Sequence, residues 1–212
     1  MKPTHDFHAT VVAAILEAWY PGQEGGNGIA DVLFGDYNPA GRLPVTFYES
    51  LADLPPFEEY QMAGRTYWYF TGKALYGFGH GLSYTTFSYD NLRVPSMVRK
   101  GDSVEILVDL TNTGSRDGEE VVQVYVSHSA ESVHSFIRAL KGFRRVSLRA
   151  GEKKTITFTL SPDQYALVNA DGQWEVPVGT LMISVGGKQP GTPALSEAST
   201  TAVLTSVVNI VE

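Results

Sequence analysis

Val104-Glu105-Ile106-Leu107-Val108-Asp109-Leu110-Thr111-Asn112-Thr113-Gly114 decides the fold. Val104, Ile106, Val108 and Leu110 share one parity, so a strand here turns four apolar side chains to one face. Asn112-Thr113-Gly114 then reads as a turn. The same texture recurs downstream, with Val122, Val124 and Val126, then Ile156, Phe158 and Leu160, then Leu181, Ile183 and Val185. Ala150-Gly151, Asp171-Gly172 and Val178-Gly179 supply turns between these runs. About seven short strands at this spacing over about 125 residues predict an antiparallel β-sandwich of immunoglobulin or fibronectin type. It begins near Ser83 to Ser88, and a loop over 191–199 precedes a last strand over 200–208.

Upstream the texture differs. Val11-Val12-Ala13-Ala14-Ile15-Leu16-Glu17-Ala18-Trp19 is almost continuously apolar, which suits a strand buried on both faces. Pro21-Gly22 punctuates it. Ile29, Ala30, Val32, Leu33 and Phe34 then follow at spacings that fit one helical face, with Gly35 as C-cap. Another turn at Asn38-Pro39-Ala40-Gly41 leads to a short strand over 42–47. Strand, glycine-rich turn and helix make a piece of an α/β layer, too small by itself to cover both faces of a sheet. Residues 50–83, rich in aromatics, proline and glycine, read as a long irregular connection. The fold class is therefore α+β. Residues 1–49 form a partial α/β sandwich remnant, 50–84 an aromatic-rich linker and 85–212 the sandwich.

Composition narrows the function. The chain has 212 residues and no cysteine, which removes disulfides, thiolate metal sites and cysteine nucleophiles together. The net charge of −7 is uneven, with 10 acids and 4 bases in residues 1–90. That balance argues against a nucleic-acid partner. Seven bases lie between Arg138 and Lys154, at a spacing that suits a solvated strand face better than an anion site. No run reaches the roughly 18 apolar residues of a membrane helix, and Met1 to Thr10 shows no secretory signal.

Three residues are candidates for substrate contact. Glu24 is the ionisable residue in Trp19-Tyr20-Pro21-Gly22-Gln23-Glu24-Gly25-Gly26, between the expected strand and helix, where ligands of α/β sheets gather. Its carboxylate suits an acid, a base or an acceptor for sugar hydroxyls, and equally suits the positive end of the helix dipole. Arg65 and Trp68 lie in Arg65-Thr66-Tyr67-Trp68-Tyr69-Phe70, a combination that stacks on sugar rings or anchors an interface. Of His5, His8, His80, His128 and His134, none has a partner at metal-ligand spacing, so neither metal nor cofactor is expected. His80, in Gly79-His80-Gly81, sits in a turn expected to orient its ring. Gly25-Gly26 forms no phosphate loop.

Several strings, in order, resemble one family. AILEAWYPGQEGGNGIADVLFGDYNPAGRLPVTF at 14–47, LPPFEEYQMAGRTYWYF at 54–70 and LYGFGHGLSYTTFSYDNL at 75–92 are similar to the C-terminal part of glycoside hydrolase family 3, its β-xylosidases and β-glucosidases especially. DLTNTGSRDGEEVVQVYVS, RALKGFRRVSLRAGEKKTITFTL and DGQWEVPVGTLMISVGG resemble the fibronectin type III-like domain that ends many of these enzymes. Trp68 stands where the family frequently has arginine, and Gly77 where it often has proline. The resemblance implies an aspartate nucleophile on an N-terminal barrel and a glutamate acid/base, both upstream of this chain, since a barrel takes about 250 residues. It assigns no catalytic residue here. The expected role is a scaffold, inactive alone, in an exo-glycosidase acting on plant-polysaccharide-derived oligosaccharides. Its partner would be the missing barrel domain, or a second copy through the orphaned sheet edge at 11–19. The alternative is a stand-alone carbohydrate-binding or protein-interaction module.

Overall fold

The computed structural model describes residues 12–129, 136–191 and 200–212. His5, His8, His134 and most of the expected 191–199 loop lie outside them. The segment before the sandwich carries helix α1 (Gly25–Phe34), strand β1 (Phe47–Tyr48), a single 3-10 turn (Leu51–Asp53), helix α2 (Thr66–Tyr69) and strand β2 (Ala74–Tyr76). The sandwich strands are β3 (Phe87–Arg93), β4 (Met97–Arg99), β5 (Val104–Asn112), β6 (Gly118–His128), β7 (Ala139–Leu148), β8 (Lys153–Leu160), β11 (Gly179–Gly186) and β12 (Val203–Val211). A small hairpin of β9 (Leu167–Val168) and β10 (Trp174–Glu175) stands beside them.

Five strands in the order β4-β12-β11-β6-β7 face three in the order β3-β5-β8. All neighbours are antiparallel except β12 and β4. The side chains singled out by parity are the ones that meet between the sheets: Val104, Ile106, Val108 and Leu110 against Val122, Val124, Val126, Leu181, Ile183 and Val185, all fully buried. Burying each such side chain stabilises the fold by about 1.5–3 kcal/mol. The Asn112 turn is built by its own amide. Asn112 Oδ1 accepts from Thr85 Oγ1 (2.6 Å) and the Gly114 N–H (3.1 Å), while Nδ2 donates to the carbonyls of Arg116 (2.8 Å) and Leu148 (3.3 Å).

Five of the seven bases fall on the edge strands β7 and β8, Arg149 lies in the turn between them, and Arg138, just before β7, is buried rather than on a solvated face. Arg145 pairs with Glu119, Lys153 with Asp109 and Lys154 with Glu152, while Arg144 lies over the Phe158 ring. Charged side chains on strand edges also discourage pairing with another sheet.

The expected buried strand at 11–19 does not form. Over the described residues 12–19 the chain makes no strand, and Val12, Ile15, Leu16 and Trp19 are exposed. A strand needs a neighbour to take its backbone hydrogen bonds, and no described element lies alongside. In place of the expected sheet edge stands an exposed apolar run. The strand expected over 42–47 shrinks to Phe47–Tyr48, because Pro44 has no N–H to continue a ladder. Leu43 still exchanges backbone hydrogen bonds with the 79–80 segment (2.8 and 2.7 Å). The final strand runs over Val203–Val211, three residues later than expected at each end, its Gly179–Gly186 partner setting the register. The 50–83 connection is mostly irregular but contains the 3-10 turn, α2 and β2.

Helix α1 forms where expected, and the Gly35 N–H closes it onto Val32 O. None of its residues is buried. Its C-terminal end is tied to the sandwich side by Tyr84 Oη donating to Val32 O (2.6 Å) and Arg116 donating to Gly35 O (2.6 Å).

Candidate functional site

The most organised polar constellation lies where the N-terminal segment meets the sandwich. Glu120 has the same parity as Val122, Val124 and Val126, so β6 turns a carboxylate toward the interior, and it is fully buried. Arg42, held by the turn before β1, reaches it with Nη2 2.7 Å from Oε2. Tyr89 Oη (3.0 Å) and Thr201 Oγ1 (3.1 Å) donate to Oε1. Gly187 lies so close that a Cβ there would overlap Oε1. Burial pushes the Glu120 carboxyl pKa up, against the pull of Arg42, Tyr89 and Thr201. Burial and the neighbouring Glu120 raise the Tyr89 phenol well above its ordinary value, which keeps it an O–H donor. The chemistry is cohesive: a charge neutralised in place, with its oxygens occupied.

One step outward, β6 turns Gln123 and Tyr125 to the opposite face. Gln123 Nε2 donates to the carbonyls of Gly79 (3.3 Å) and Gly187 (2.8 Å), and Tyr125 Oη donates to Gln123 Oε1 (2.5 Å). Gly79 sits in left-handed backbone (φ 75°), and a side chain there would strike the Gln123 amide. Over this pair lies an aromatic strap. Tyr67 stacks on Phe78 with centroids 4.0 Å apart, and both meet the Tyr125 ring edge-on. Tyr67 Oη accepts from the Leu140 N–H (3.2 Å).

Trp68 packs against Phe136 (5.7 Å between centroids), and its carbonyl accepts from the Ile137 N–H (2.8 Å); its ring is partly exposed. Arg65 precedes α2 and folds back on its own loop. Its Nη2 donates to the carbonyls of Pro56 (3.1 Å) and Glu59, and its Nε to that of Gln61 (3.0 Å). Glu24 occupies the N-cap position of α1, exposed, but its side chain takes no backbone N–H of the helix; its carboxylate accepts from the Asn27 side-chain amide. Arg65 and Trp68 thus share one short stretch, while Glu24 belongs to a different element and, among the described residues, hydrogen-bonds within its own.

His80 stacks on Tyr76 (5.3 Å), and burial, with Lys188 and Arg42 nearby, lowers its pKa. His128 Nε2 lies 2.7 Å from the Tyr165 carbonyl, and burial lowers its pKa too. Among the described residues no three His, Asp or Glu side chains gather as a metal-ligand set, and no helix is long and apolar enough to cross a membrane.

Sequence reasoning missed Glu120, Arg42, Tyr89 and Thr201. A signal was present in Glu120, an acid in phase with the buried valines of its own strand.

With this architecture in hand, a class follows: a family 3-type segment bonded to a fibronectin-like sandwich. The model of the glycosyl hydrolase family 3 C-terminal domain matches residues 1–84, and that of the fibronectin type III-like domain matches residues 120–189. A xylan 1,4-β-xylosidase of Xylanibacter ruminicola is 41% identical over 175 residues, covering 79% of this chain and 20% of its own length. A periplasmic β-glucosidase of Salmonella typhimurium is 38% identical over 187 residues, covering 82% and 24%. The solved structure of a β-glucosidase from Erythrobacter marinus superposes with a TM-score of 0.76 at 33% identity, covering 91% of this chain and 24% of that one. The chain corresponds to the C-terminal region of glycoside hydrolase family 3 proteins, including their fibronectin type III-like domain. It spans a quarter or less of the length of these relatives.

Proposed function

We propose that this chain is the scaffolding part of a retaining exo-glycosidase of β-xylosidase or β-glucosidase type, and that it performs no hydrolysis by itself. In this reading residues 1–49 belong to the α/β layer, 50–84 strap it down and 85–212 are the buttress. The observation that supports it best is the Glu120 joint, a buried carboxylate spent on holding the two segments together. Retaining hydrolysis needs two carboxyl groups about 5–5.5 Å apart on either side of the scissile bond. The two buried carboxylates among the described residues, Glu120 and Asp109, are both engaged by internal donors. Nucleophile and acid/base then come from outside these 212 residues, and oligosaccharides from plant polysaccharide are the substrates of the longer protein.

The exposed apolar side chains of 12–20, with Leu33 and Phe34 on α1, are the surface on which the rest of that protein would pack. A second copy is the competing occupant. Incubating the chain with aryl β-xylosides, β-glucosides and α-arabinosides tests the reading: no turnover is expected, whereas turnover abolished by Glu24→Gln overturns it. Light scattering that gives a clean monomer removes the second copy.

A further inference from the structure

We propose that the loop over 56–65 is a preorganised platform for a neutral pyranose chain, with the rings of Phe57 and Tyr60 as its contact faces. These two rings are 91% and 90% exposed, among the most exposed aromatics described. Exposed rings on an ordinary surface loop move freely. Here the backbone that carries them is pinned by Arg65, which spans the loop to the carbonyls of Pro56, Glu59 and Gln61. Two turns close it further, Glu59 N–H to Pro56 O (3.1 Å) and Arg65 N–H to Met62 O (3.0 Å). An arginine whose Nε and Nη2 donate to three carbonyls of its own loop leaves a surface already ordered before a ligand arrives, which lowers the entropic cost of binding.

Between the two aromatics in sequence stand Glu58 and Glu59, both exposed. Carboxylates accept hydrogen bonds and cannot donate them. They suit a ligand rich in hydroxyl donors and repel an anionic one, as does the acidic balance of residues 1–90. The apolar C–H face of a pyranose matches the ring faces, and its equatorial hydroxyls match the carboxylates. This inference rests on the reading that the longer protein acts on glycosides, which chooses a sugar over a basic peptide as occupant. Arg65 is then a positioning residue, and its side chain holds the platform without touching the ligand.

The test is calorimetric titration of the 212-residue chain with xylohexaose and cellohexaose, and with hexalysine in parallel. Saturable binding of one hexasaccharide is expected. Phe57→Ala and Tyr60→Ala should each weaken it about 2- to 10-fold, the range of a single aromatic contact, with the thermal midpoint unchanged because both rings are exposed. Arg65→Met should weaken it through a less favourable binding entropy with both rings intact. Absence of sugar binding, unchanged affinity in the Phe57→Ala/Tyr60→Ala double variant, or preference for hexalysine overturns the platform. None of those outcomes restores turnover on aryl glycosides, so the scaffold reading stands or falls separately.

Discussion

The sandwich and the segment before it solve the same problem in opposite ways. In the sandwich, from Phe87 to Val211, each long strand has a neighbour and the apolar face of each sheet has the other sheet. In residues 12–84 the buried side chains are few: Ala40, Phe70, Ala74 and Leu75 among the apolar ones. Order there is borrowed, through Arg42 on Glu120, Tyr67 and Phe78 on Tyr125, and Asn38 on the Asp117 carbonyl (3.0 Å). The difference teaches that apolar content alone does not make a core. The run at 12–20 is as apolar as any strand of the sandwich and stays exposed for want of something to lie against.

Breaking the borrowed order should have the largest effect. Arg42→Met strands a fully buried carboxylate, and a loss of about 3–5 kcal/mol is expected in urea unfolding. Adding Glu120→Leu should recover part of it. If the segment depends on the sandwich as described, unfolding of the parent chain is a single transition, and fluorescence and circular dichroism should coincide. Ile106→Ala, confined to the sandwich core, should cost about 2–5 kcal/mol by the same measurement.

A smaller effect sets one histidine in each region against the other. Burial lowers the pKa of both His80 and His128, so below the ordinary value near 6.5 the unfolded chain takes up protons that the folded chain resists. Their contribution is complete above that value and declines as the pH falls through it. His80→Gln and His128→Gln should each flatten the fall in thermal midpoint between pH 7 and 5. A response to His128→Gln alone would make the sandwich the acid-sensitive part. Smallest of all, Leu33→Ser or Phe34→Ser on α1 should change stability by no more than about 0.5 kcal/mol, since neither side chain is buried.

The alternation at 104–110, 122–126, 156–160 and 181–185 was legible because period-2 burial is written residue by residue. The run at 11–19 was legible as apolar but not as exposed, because burial depends on a neighbour that no local pattern contains. The family strings carried the resemblance across both segments. The Glu120 joint was harder. Its partners Arg42, Tyr89 and Thr201 lie 78, 31 and 81 positions away, a separation no motif encodes. Glu120 itself, out of character on a valine face, was the visible half.

That acid bears on how the protein can be taken apart. A sandwich excised at Ser83 to Ser88 keeps Tyr89 and Thr201 but leaves behind Arg42, the countercharge to the carboxylate buried on β6. The strands alone are not a cassette to be grafted onto another enzyme. A transplant that keeps its interior neutral has to begin before Gly41, or to exchange Glu120 for an apolar residue at the moment of cutting.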